Sequence, residues 1–160
     1  MKILWAPWRF EYIESEKPKY CILCKAYNDQ DDKQNLVLWR GKHTFVIMNR
    51  YPYNSGHLMV APIRHVSNLD DLTNEEMLEI AKAIKLSLNA LKKAMGPHGF
   101  NIGMNIGRAA GAGIEEHIHV HIVPRWIGDS NYMPIISNTK VMPEYLSQTY
   151  DKLKPYFDEI

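Results

Sequence analysis

The chain has 160 residues, 46% of them hydrophobic and 23% charged, the range of one compact domain with its own core and too short for a second full one. Its 19 Lys and Arg stand against 18 Asp and Glu, which excludes the basic stripe needed to bind duplex or single-stranded nucleic acid, so any phosphate-bearing ligand has to be small and held locally. The apolar opening MKILWAPWRFEYIES is broken by Trp8, Arg9 and Glu11 before a secretory core forms, and no later run approaches a membrane span. A cytoplasmic protein with no membrane or nucleic-acid partner is expected.

Cys21 and Cys24 are the two cysteines, and their Cys-x-x-Cys spacing suits half of a metal site or a redox pair better than a disulfide framework. KAYNDQDDKQN (25 to 35) reads as an exposed polar loop, with the ordered core beginning after it. LVLWR (36 to 40) and TFVIMN (44 to 49), separated by Gly41 and Lys42, have the pattern of a hairpin, and HLMVAPI (57 to 63) reads as a third strand ended by Pro62. From Thr73 to Met95 the period changes. Met77, Ile80, Ala81, Ile84, Leu88 and Leu91 recur at three and four, the spacing of an amphipathic helix. Thr73 with Glu76 forms a capping-box pattern, and Lys92, Lys93 and Gly96-Pro97 close the far end. FNIGMNI (100 to 106) and HIHVHIVP (117 to 124) complete the strands, and 141 to 157 contains a second helix. Four or five strands with segregated helices predict an α+β domain built on an antiparallel sheet.

In HIHVHIV successive side chains of a strand alternate faces, so His117, His119 and His121 share one face and Ile118, Val120 and Ile122 the other. Histidines two apart lie roughly 6.5–7 Å apart along the strand, near enough to converge on one ligand and far enough for separate roles. Three readings stay open on the residues alone: a polar outer face, two ligands of an open catalytic metal site, or a nucleophile with helpers. Imidazole suits attack on phosphorus, because its neutral form is abundant near pH 7 and the phosphoimidazolium is a good leaving group for a second step. One ring nitrogen has to donate to a neighbour so that the other carries the lone pair. Gly107, Gly111 and Gly113, upstream of the strand, offer a turn in which backbone amides approach phosphate oxygens.

These residues resemble the histidine triad (HIT) superfamily, whose hallmark is His-x-His-x-His followed by apolar residues. FVIMNRYPYNSGHLMVAPIRHV resembles its first nucleotide-binding segment and NIGRAAGAG its phosphate loop, so that the similarity covers roughly residues 36 to 126. WAPWRFEYI (5 to 13) and PRWIGDSNYMPIISNTKVMPEYL (124 to 146) look like the branch related to Fhit and to diadenosine tetraphosphate phosphorylase. The resemblance implies a five-stranded, mainly antiparallel sheet with one long helix and a C-terminal helix, in a single domain over 1–160. Its core would span about 36–126, with an N-terminal zinc-binding segment at 1–35 and a C-terminal extension at 127–160.

Carried over by position, the resemblance implies His119 as the nucleophile, His121 and His57 as ligands of the α-phosphate, and Asn49 at the ribose. Ile47 and Met59 would line the base slot, and Asn105, Gly111 and Gly113 would serve the phosphate loop. Many family members place Ser or Thr near Gly113; GAGIEEH offers no hydroxyl, leaving backbone donors there. Cys21, Cys24, His65 and His117 correspond to a structural zinc site of several HIT proteins, and no catalytic metal is expected at His119. The implied activity is cleavage of diadenosine polyphosphates or related nucleotides through a covalent nucleotidyl-histidine, passed to water or phosphate, in a homodimer. The alternatives are a Hint-like nucleoside phosphoramidase and a non-catalytic nucleotide sensor. Asn138 and Lys140 are candidates for contact with a distal phosphate.

Overall fold

Five short β-branched and apolar runs form one antiparallel sheet: β1 (Val37–Arg40), β2 (Thr44–Met48), β3 (Leu58–Pro62), β4 (Gly99–Gly103) and β5 (Val120–Arg125). Their order is β1-β2-β3-β5-β4, so the last strand inserts between β3 and β4. The computed structural model describes residues 20–129 and 142–158. WAPWRFEYI, Asn138 and Lys140 lie outside the described residues.

Register decides which side chains share a face. Ile47 pairs with Met59, Met59 with His121, and His121 with Gly103, giving one continuous row across four strands. The adjoining row, Val46, Val60 and Val120, turns the other way by the pleat. Both expected strands around the histidines are shorter than the sequence pattern suggests. Pairing begins at Val120 and ends at Gly103, which leaves His117, His119 and Asn105 just outside the ladder.

The long helix α3 (Asn74–Met95) connects β3 to β4 and packs on β2 and β3. Its capping box is present: Glu76 N donates to Thr73 Oγ1 at 3.2 Å, and Thr73 N donates to Glu76 Oε2 at 2.8 Å. Gly96 ends it at φ 58, a conformation that costs glycine nothing. The buried face is rotated from the expected one. Ile80, Ala83, Ser87, Ala90 and Leu91 face inward, whereas Met77 is 41% exposed and Ala81 is also exposed. Three small residues on the inner face let the helix approach the bulky sheet side chains, a fit that hydrophobic periodicity does not report.

Residues 25 to 35 are not a loop, and the core does not begin after them. Cys21 caps α1 (Ile22–Asn28), whose Leu23 and Ala26 belong to the core, and Asp31 caps the short α2 (Asp32–Asn35), which ends at Leu36 in the left-handed region. With two inward residues in α1 and none in α2, the segment's composition stays that of a loop. Tyr27 of α1 lies against Phe45, ring centroids 5.2 Å apart, so α1 covers the sheet face that carries Ile47 and Met59.

The expected C-terminal helix arrives as two, α4 (Leu146–Leu153) and α5 (Pro155–Asp158). They cover the β1 edge: Tyr150 Oη donates to Val37 O and Lys154 Nζ to Leu38 O, each at 3.0 Å. At the opposite edge β4 carries Ile102, 46% exposed.

Glu79 of α3 ties the β1–β2 turn to the helix. Its carboxylate accepts from the backbone amides of Lys42 (3.1 Å), His43 (2.5 Å) and Thr44 (2.7 Å), and from Thr44 Oγ1 (3.1 Å). Burial pushes this carboxyl up, but those donors outweigh it and hold the group below its ordinary value. Glu79→Gln is expected to cost about 1–3 kcal/mol near neutral pH, read from denaturant midpoints. A depressed folded value means that the ionised group stabilises fully above the ordinary value of 4.5, and that this is lost as pH falls through the folded value. The gap between wild type and Glu79→Gln should therefore narrow in acid.

Candidate active site

His119 precedes β5 and is 5% exposed. Its Nδ1 lies 2.8 Å from the carbonyl oxygen of His117. A carbonyl only accepts, so Nδ1 carries the proton and Nε2 keeps the lone pair. Burial lowers the pKa of His119, favouring the neutral ring. The residue thus has the protonation state and tautomer of a nitrogen nucleophile.

His121 and His57 are linked across β5 and β3. His57 Nε2 lies 2.9 Å from His121 Nδ1, and the backbone amide of Tyr53 donates to His57 Nδ1 at 3.1 Å. That amide makes His57 Nδ1 an acceptor and places the ring proton on Nε2, which donates to His121 Nδ1; His121 then carries its own proton on Nε2. Tyr53 also stacks on His57, centroids 4.8 Å apart at 22°. His57 is 1% exposed with both ring nitrogens engaged, an arrangement that can orient His121.

A cleft of about 650 Å³ gathers most of the candidates. Its lining includes Ile47, Asn49, Met59, Asn105, Gly111, Gly113, His119 and His121. Ile47 and Met59 supply an apolar floor, each 6% exposed. Asn49 Oδ1 accepts from Tyr51 N at 2.9 Å, which turns the chain out of β2. In the glycine turn, Gly107 and Gly111 take φ of 77 and 81, and the amides of Ala110 and Gly111 bond within the turn, to Gly107 O and Arg108 O. Those bonds hold the turn in shape beside the cleft that Gly111 and Gly113 help to line.

Sequence reasoning missed the opposite wall, made by Ile22 and Ala26 of α1 and by Gln34 and Asn35 of α2, with Arg50 and Tyr51 beyond β2. A segment read as loop gives no signal of facing a cleft.

Cys21, Cys24, His65 and His117 come together with their donor atoms all within 4.8 Å of one another. Cys21 Sγ and Cys24 Sγ lie 3.3 and 3.4 Å from His117 Nδ1, and Cys24 Sγ lies 3.3 Å from His65 Nδ1. The other nitrogen of His117 donates to Pro62 O at 2.8 Å. Its Nδ1 lone pair is therefore turned to the sulfurs, the outer-sphere arrangement of a metal-ligating histidine. Two thiolates and two imidazoles are a complete tetrahedral donor set for a borderline-soft divalent ion. Burial, followed by the neighbouring Cys21 thiol, pushes Cys24 up to about 11, so a compensating cation is what would let both sulfurs ionise.

Among the described residues no helix is long and apolar enough to cross a membrane. The sequence profile of the HIT domain matches residues 30–126. A protein of Mycobacterium tuberculosis named AP-4-A phosphorylase is 42% identical over 154 residues, spanning 91% of this chain and 79% of that protein. A bis(5'-adenosyl)-triphosphatase of Saccharomyces cerevisiae is 32% identical over 101 residues, 60% of this chain and 48% of that one. Among solved structures, a hypothetical histidine triad nucleotide-binding protein of Sulfolobus tokodaii superimposes with a TM-score of 0.69 at 26% identity, covering 87% of this chain and 93% of its own. The alternating histidines, the antiparallel sheet that presents them and the profile match have one explanation: the chain belongs to the histidine triad (HIT) family.

Proposed function

We propose that the protein cleaves diadenosine polyphosphates at an α-phosphate through a covalent nucleotidyl-histidine. The observation that carries this is the bond from His119 Nδ1 to His117 O, which leaves Nε2 as the attacking base. In the first step the Nε2 lone pair forms an N–P bond while the bond from phosphorus to the bridging oxygen breaks, and the departing nucleotide keeps that electron pair. In the second, an oxygen of water or inorganic phosphate attacks phosphorus, gives up its proton to solvent or to a base, and returns Nε2 to its free form. His121, oriented by His57, donates to a phosphoryl oxygen as charge develops. Ile47 and Met59 hold the base and Asn49 the ribose. The name of the 42%-identical relative, AP-4-A phosphorylase, favours phosphate as the acceptor.

Incubation with diadenosine tetraphosphate tests this directly. ADP plus ATP formed only when inorganic phosphate is present is the expected result, AMP plus ATP without phosphate would assign hydrolysis instead, and absence of turnover by wild type would reject the reading. His119→Ala should lower kcat by at least about a thousandfold, the scale of losing a covalent nucleophile.

The Cys21, Cys24, His65 and His117 cluster is read as a structural zinc site. When bound, zinc would supply charge compensation and a cross-link, with no part in the phosphoryl chemistry. Metal analysis is expected to return about one zinc per chain, and Cys24→Ser to lose it together with several degrees of Tm; metal-free wild type with unchanged Tm would refute the assignment.

A homodimer through β4 is the assembly the surface favours. Ile102, Met104 and Ile106 are 46%, 36% and 44% exposed along and just beyond that edge, an apolar strand edge of the kind that pairs with a second copy. Light scattering should give twice the chain mass, and Ile102→Lys should shift it toward the monomer.

A further inference from the structure

The turn from Tyr53 to His57 is wrapped round the His57 ring. Tyr53 N donates to His57 Nδ1 at 3.1 Å, and His57 N donates to Asn54 O at 3.1 Å. The turn is also tightly packed at Gly56, where φ is +75 and an added Cβ would meet Met95 Sδ at 2.8 Å and Leu91 at 3.0 Å.

What fixes this turn to the rest of the sheet is the side chain of Asn54, 6% exposed. Its Nδ2 donates to Pro124 O on β5 at 2.9 Å and to Asp129 Oδ2 at 2.9 Å, so both amide hydrogens are used. Asp129 is itself held. Arg125 donates to it through Nε at 2.6 Å and Nη2 at 2.9 Å, Trp126 N lies 3.3 Å away, and Arg125 Nη1 reaches Asn101 Oδ1 on β4 at 2.8 Å. The guanidinium keeps the Asp129 carboxyl ionised, well below the usual carboxylate range. An ionised acceptor strengthens the bond from the buried Asn54 amide.

We propose that Asp129, acting through Asn54, is a positioning residue for the His57–His121 pair, because it anchors the turn whose Tyr53 amide fixes the His57 tautomer. The inference rests on the role proposed above for His121. The order of events is mechanical: Asp129 holds the Asn54 amide, Asn54 holds the turn, and the Tyr53 amide stays against Nδ1. His57 then keeps its proton on Nε2, and His121 accepts it at Nδ1 and keeps its own proton on Nε2. Without the anchor, the Asn54 amide loses a buried acceptor and rotates, the Tyr53 amide drifts, and both imidazoles exchange tautomers.

Two readouts on the whole protein test this. In histidine-labelled wild type, nitrogen NMR should show His57 unprotonated at Nδ1 and protonated at Nε2; in Asp129→Ala, the His57 and His121 signals should move toward tautomer averages. With diadenosine tetraphosphate and phosphate, kcat should fall about tenfold to a hundredfold, the scale of a small misplacement of a catalytic group, while KM changes less than about threefold. Asp129→Asn keeps an acceptor oxygen and should lose less than Asp129→Ala. Glu79→Gln is the control for instability, since it loosens the β1–β2 turn at a distance and should leave the tautomers as they are.

Wild-type tautomers together with a wild-type kcat in Asp129→Ala would overturn the proposal, as would a fall in kcat that Glu79→Gln reproduces. If wild-type His57 is already protonated at Nδ1, the proposal also falls. If the tautomers shift as expected but wild type does not turn over the substrate, the positioning stands and the proposed reaction is what fails.

Discussion

His117 is the residue through which the separate parts of the molecule are joined. Its carbonyl oxygen fixes the proton on His119, its Nε2 bonds to the carbonyl of Pro62 at the end of β3, and its Nδ1 meets the sulfurs at the start of α1. One residue thus sets the tautomer of the candidate nucleophile, ties the approach to β5 to its neighbour, and holds the N-terminal helix over the sheet. An imidazole buried at 0% exposure has to have both nitrogens satisfied. Satisfying them here joins three segments that are distant in sequence. The sulfur cluster and the cleft therefore share a backbone, and the cluster's mechanical role follows from where His117 sits.

The His-x-His-x-His pattern was legible because the intervening residues are apolar, although of the three only His121 lies within β5. Their division of labour was not. Alternation makes His117, His119 and His121 equivalent, and what separates them is the partner that each meets: the Cys21 and Cys24 sulfurs, a carbonyl two residues back, and His57 across the sheet. The boundaries of the long helix were legible through Thr73, Glu76 and Gly96, since caps are local chemistry. Its inner face was misplaced by about one side chain, because Ala83, Ser87 and Ala90 carry little hydrophobic signal and are chosen for closeness. The pair Asn54 and Asp129 lies 75 residues apart, and nothing in either residue's neighbourhood announces the other. Helices α1 and α2 were lost for a similar reason, as a helix with two inward residues has the composition of a loop.

The row Ile47, Met59, His121, Gly103 explains why the site lies where it does. It begins with two apolar side chains, continues with an imidazole and ends with a residue that has no side chain, so the floor grades from greasy to polar to open within one sheet face. A ligand with a flat apolar end and a charged end matches that gradient along its length. The wall from α1 and α2 turns the face into a cleft, and α1 is held there by Leu23 and Ala26 in the core and by the sulfurs beside His117.

The two outer strands of the sheet are treated differently. On β1 the Tyr150 hydroxyl and the Lys154 ammonium occupy backbone carbonyls, whereas β4 presents Ile102 within a glycine-bounded strand. A sheet with two open borders can add copies without end, which is the geometry of a fibril. With one border plugged, recruitment through the other uses up the valence of both participants, and growth terminates at a closed pair. The C-terminal helices would in this way act as a chain terminator, conferring resistance to polymerisation on a fold that leaves a greasy strand at its rim.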